Sequence, residues 1–113
     1  MRSSLCLTRQ CLGLVTRIEC SIRPLAGNNG LWTLLFAAGM ADEQPTAIRA
    51  QGPFHGPQAA QAILDAIVDS LTLHGYSLGE GPYIWCLHLQ GQLRTMNRER
   101  SGRVPGFQFR PER

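Results

Sequence analysis

Between Gly56 and Gly75 the chain carries the pattern that most restricts its fold. Ala60, Ile63, Leu64, Ile67, Val68 and Leu71 recur at helical spacing. Pro57 suits a first helical turn, where the N–H it lacks would be unpaired anyway. Gly75 stands where a left-handed C-terminal cap belongs. The spacing predicts a helix over 57–74, with an aliphatic stripe that needs a sheet or a second helix to cover it.

Two further features lie on that helix. Ala59, Ala62, Ala66 and Leu73 make a second stripe beside the first, small enough to let another backbone approach. They are the expected contact of a homodimer. Asp65 and Asp69 sit one turn apart with no basic residue in the helix to offset them, a mildly unfavourable arrangement that a solvated face tolerates.

Around this helix the pattern predicts strands. Thr46 to Gln51 alternates weakly and is closed by Gly52-Pro53. Tyr83 to Leu93 alternates more strongly: Tyr83, Trp85, Leu87 and Leu89 share one face, Ile84, Cys86, His88 and Gln90 the other. Val104 to Arg110 predicts another strand, turned from the previous one at Ser101-Gly102. The order β-α-β-β defines an α+β domain, an antiparallel-rich three-stranded sheet with one amphipathic helix on one face.

Met40 divides the chain by charge. Of the 113 residues, the 39 before it hold four Arg, one Glu and three of the four Cys, while seven Arg and seven acids follow. The net charge of +3 therefore belongs to the first part. Residues 1–39 are expected to be a disordered leader and 40–113 the single folded domain. A misplaced start codon ranks first as its origin. A signal peptide ranks second, since Leu31 to Ala38 is an apolar run with small residues after it; its cleavage would export the protein. An Arg- and Ser-rich transit peptide ranks third. The apolar run is too short to span a bilayer, for which roughly 20 residues are needed. The expected location is the cytoplasm, with no membrane contact.

Every basic residue is Arg, with no Lys. A GC-rich genome explains this more simply than selection for anion recognition. No C-x-x-C pair exists, and Cys86 alone follows Met40. No metal or cofactor is implied. Gly79-Glu80-Gly81 follows a helix and precedes a strand, the reverse of a phosphate-binding loop.

Two surfaces follow from the predicted sheet. Its open face would collect Arg49, His88, Gln90, Gln92, Gln108 and Arg110, with Gln51 and Cys86 among them. The hairpin 94–103 would project Arg94, Arg98, Arg100 and Arg103 against the single acid Glu99. The reading is a small non-enzymatic binding protein that uses these surfaces for a protein partner or a second copy of itself. Nucleic-acid binding by the Arg hairpin is the alternative, weakened by the absence of exposed aromatics for base stacking. A thiol-dependent enzyme at Cys86 and His88 is the third, and it lacks an orienting residue.

Overall fold

The computed structural model describes residues 4–27, 29–79 and 83–102, the last three of them by backbone alone. Its strands are β1 (Ser4–Cys11), β2 (Leu14–Pro24), β3 (Leu31–Met40), β4 (Ala47–His55) and β5 (Ser77–Leu78); its helices are α1 (Pro57–Leu73) and α2 (Cys86–Gly102). The five strands form one sheet in the order β4-β3-β2-β1-β5, and every neighbouring pair is antiparallel.

The first four strands are a meander, each pairing with its successor. The β1–β2 turn is the two-residue loop Leu12-Gly13, flanked by the paired Cys11 and Leu14. Both loop residues have positive φ, 54° and 80°, the signature of the turn whose twist suits a hairpin. At the C-terminal end of β3, Gly39 lies under the connection to β4. A Cβ there would sit 2.9 Å from the backbone nitrogen of Thr46.

From β4 the chain crosses one face of the sheet as α1 and reaches the far edge, where β5 pairs with Leu7 and Thr8 of β1. It then passes to the opposite face, where α2 packs. The result is a three-layer arrangement, helix, sheet, helix, in the order β-β-β-β-α-β-α.

Strand alternation assigns the side chains to two cores. Leu5 and Leu7 of β1, Cys20 and Ile22 of β2 and Leu34 of β3 face α1 and pack on Ala60 and Leu64. Ile18, Trp32, Phe36, Phe54, Ile67, Val68 and Leu71 close the margins of this core. On the other face Leu35 and Ala37 of β3 meet Trp85 and Leu89, with Ile48, Leu93 and Met96 around them.

Several expectations are corrected by this architecture. The sheet has five strands where three were expected, and a second helix stands on its far face. Residues expected to be a disordered leader supply β1, β2 and β3, the middle of the sheet. The apolar run Leu31 to Ala38 is continuous because β3 is covered on both faces, so it lacks the alternation of a half-exposed strand. Tyr83 to Leu93 is not a strand. Its alternation coincides with a helical stripe, Trp85, Leu89 and Leu93 at steps of four, and the helical stripe is the one that packs. Leu87, expected to face inward, is 76 % exposed. The Arg hairpin is likewise helix, since α2 runs unbroken through Ser101 and Gly102. The strand expected over Val104 to Arg110, with Phe107 and Phe109, lies outside the described residues.

The helix over 57–74 and the strand from Thr46 correspond to α1 and β4. β4 continues through Gly52-Pro53 rather than stopping there, and that peptide bond is cis. A proline without an N–H is tolerated because β4 is an edge strand.

A candidate ligand pocket between the second helix and the sheet

The sheet face under α2 differs in chemistry from the face under α1. Along β2, Ile18, Cys20 and Ile22 point to α1, while Arg17, Glu19, Ser21 and Arg23 alternate with them and share the α2 face. Ser4, Cys6 and Thr8 continue this face onto β1.

Glu19 holds the helix in place. It is 1 % exposed, so its carboxylate needs partners for every lone pair it directs inward. Arg17 Nε donates to Oε2 at 2.7 Å, and Ile84 N donates to the same oxygen at 2.9 Å. Trp85 N donates to Oε1 at 3.1 Å and to Oε2 at 3.2 Å. The two amides immediately precede α2, so the carboxylate stands at the positive end of that helix. Two more bonds secure the element. Trp85 Nε1 donates to the Glu43 carbonyl at 2.9 Å, and Ala26 N donates to Asn97 Oδ1 at 2.9 Å.

Because α2 packs over β3 and β4, a gap remains beside it above β1 and β2. This gap is a pocket of about 110 Å³. Leu35, Leu89 and Leu93 make its apolar walls, and Ser4, Ser21, Arg23, Tyr83, Cys86 and Gln90 line the remainder. Glu19 and Cys20 also border it. The polar groups are partly occupied. Ser4 Oγ and Ser21 Oγ lie 3.2 Å apart, Tyr83 donates to the Ser4 carbonyl at 3.2 Å, and Gln90 Nε2 donates to Cys86 Sγ at 3.4 Å.

Thiol chemistry is divided between the faces. Burial pushes the Cys20 thiol up to about 12, reinforced by Cys6 and Glu19. Burial also raises Cys6, against the opposing influence of Arg17. Both are packing groups. Cys86 lines the pocket, and Cys11 is exposed beside the β1–β2 turn.

The residues singled out from the sequence are scattered. Gln90 reaches the pocket, and Cys86 with it. His88 does not join Cys86: two positions apart on a helix, they point roughly 200° from each other. His88 and Gln92 are half-buried on the flank of α2 away from the pocket, and Arg94 and Arg98 are exposed on its outer face. Arg49 is exposed on β4, its Nη1 donating to the Ile48 carbonyl at 3.1 Å. The shared open face expected for these residues is therefore absent among the described residues. The side chain of Arg100, and Arg103, Gln108 and Arg110 altogether, lie outside them. Ala59, Ala62, Ala66 and Leu73 are all exposed, on the side of α1 opposite its core stripe, and Leu73 is 87 % exposed.

Most of the pocket was missed because it comes from the supposed leader. Ser4, Glu19, Ser21 and Arg23 carry it, and the signal that could have found them is the strict alternation of polar and apolar residues from Arg17 to Arg23. Among the described residues, no group of three or more His, Cys, Asp or Glu could hold a metal, and no helix is long and apolar enough to cross a membrane.

Fold and site together define a small α+β protein, an antiparallel sheet between two helices with a pocket beside the second. Its whole length, residues 1–113, matches the model of the PA4575-like protein family, and the chain belongs to that family. The match includes the three strands before Ala41. No curated protein and no solved structure matches the chain.

Proposed function

We propose that this protein is a non-enzymatic binding module, and that the pocket beside α2 receives a compact apolar group of its ligand or partner. One observation carries the reading: the pocket is walled by leucines on elements fixed by the buried Glu19 contacts, so its shape exists before anything binds. A preformed apolar recess with a few polar groups is the usual form of a small-molecule or side-chain site. Titration of the full chain with isoamyl alcohol, followed by amide chemical shifts, tests it. Shifts should cluster at Ser21, Cys86, Leu89 and Gln90 and disappear in Leu93→Trp, which fills the recess. Shifts spread over the surface, or unchanged in that variant, would remove the reading.

A second reading has its own observation. Arg94 and Arg98 stand one turn apart on the exposed face of α2 and could follow a phosphate backbone. Nucleic-acid binding through that face requires an affinity that falls steeply with salt and a shallower slope in Arg94→Ala and Arg98→Ala. Self-association, the other partner expected, would use the outer stripe of α1, and Ala62→Glu should then convert a sedimenting dimer to a monomer.

A further inference from the structure

We infer that the pocket beside α2 selects a short branched aliphatic carboxylate, with Arg23 binding the carboxylate and the leucine walls enclosing the alkyl group. The inference rests on the binding reading above and specifies its ligand class.

Arg23 is the residue that sets the charge. It lines the pocket and is half-buried, yet it has no hydrogen bond or ion pair among the described residues. The other arginine on this face of β2, Arg17, is already committed to Glu19. The Arg23 guanidinium reaches water at the pocket, so its donors are free for a ligand, and the planar fork of Arg matches a carboxylate in two parallel bonds.

Among the described residues, Glu19 is the one anionic group on the wall. Its charge is already met by Arg17 and by the amides of Ile84 and Trp85. The net sign offered to a ligand is therefore that of Arg23. Ser4 and Ser21 add hydroxyls that can donate to a second carboxylate oxygen.

Volume fixes the other end of the ligand. Benzene fills an apolar cavity of about 150 Å³, or about 25 Å³ per carbon. By that scale the 110 Å³ pocket takes an alkyl group of about four carbons, the size of isobutyl. A free branched-chain acid and the C-terminal leucine of a peptide both present this group beside a carboxylate.

Calorimetric titration of the full chain with isovalerate, isoamyl alcohol, isoamylamine and N-acetyl-leucine separates the possibilities. All four carry the isobutyl group. Isovalerate should bind about tenfold or more tighter than the alcohol or the amine, the scale of a charge-assisted pair. Arg23→Gln should bring isovalerate down to the alcohol and leave the alcohol within twofold, and Arg23→Lys should restore part of the difference. N-acetyl-leucine binding tighter than isovalerate assigns the ligand to a peptide terminus, and weaker binding assigns it to a free acid. If the alcohol binds and isovalerate binds no tighter, the carboxylate assignment is wrong and the pocket reading stands. If none of the four binds, both are wrong. Should Arg23→Gln fail to fold, the comparison of the four ligands on the unaltered chain still decides.

Discussion

Removing the Glu19 carboxylate tests the idea that α2 is held by a buried charge rather than by its apolar stripe alone. In Glu19→Ala, Arg17 loses its bond to the Glu19 carboxylate while its side chain is 12 % exposed, and the amides of Ile84 and Trp85 lose that acceptor. Deleting one member of a buried ion pair costs about 3–5 kcal/mol because the other charge stays behind. The remaining exposure of Arg17 places this case near the lower end, about 3 kcal/mol. A chain of 113 residues has about 6–17 kcal/mol of stability in total. The loss is therefore a large fraction, and at a urea m-value of about 1.5 kcal/mol/M the midpoint falls by about 2 M. Urea unfolding followed by tryptophan fluorescence and far-UV circular dichroism measures it. Hydrogen exchange adds the location: amides of α2 should lose protection before those of α1. Glu19→Gln, which keeps an acceptor oxygen but sets an NH2 against Arg17, should fall between alanine and the native residue. The double variant Arg17→Ala, Glu19→Ala should lose less than the two single variants together. A loss under about 1 kcal/mol in Glu19→Ala, at unchanged m-value, would refute the reasoning.

Three other outcomes are expected. Leu12 is 97 % exposed and holds φ at 54°, a conformation that costs a leucine about 1 kcal/mol; Leu12→Asn should raise stability by about that amount in thermal unfolding, since Asn-Gly suits this turn. Leu64 is fully buried under α1, and Leu64→Ala should cost about 3–5 kcal/mol by urea denaturation. The thiols predict an alkaline weakness: the unfolded Cys20 ionises from about pH 9, the folded one only near about 12, so above pH 9 the unfolded state binds fewer protons and stability falls. Melting temperature against pH should show this slope in the native chain and less of it in Cys20→Ala, and equal slopes would count against it.

The legible parts of the fold are those that show one face to water. α1 was readable because Ala60, Leu64, Ile67, Val68 and Leu71 turn inward and most of the remainder outward; of the expected stripe only Ile63, 39 % exposed, lies outside the core. β3 was not, because Leu34 and Phe36 face one helix while Leu35 and Ala37 face the other, and a strand buried on both sides has no polar beat. α2 failed for a third reason. Trp85, Leu87 and Leu89 satisfy a period of two, Trp85, Leu89 and Leu93 satisfy a helix, and local sequence does not choose between them. The choice is made by Glu19, 66 positions away in sequence from Trp85, which fixes the two amides where the helix begins. The candidate site was accordingly readable only in Gln90 and Cys86. The Arg residues that drew attention lie on the outer face of α2 or beyond the described residues, whereas Arg23, taken for part of a leader, stands in the pocket.

The alternation of β3 has a consequence for how this fold can change. Leu34 and Leu35 are neighbours in the chain yet belong to different cores, and the backbone of the sheet stands between them as a party wall. Leu34 and Leu35 pack in separate clusters, so the effects on stability of substitutions deep in each should come close to adding. The α1 side can supply most of the folding free energy while the α2 side accumulates changes in shape and charge around its pocket. Related chains are then free to differ in what they hold there without renegotiating the core that keeps them folded.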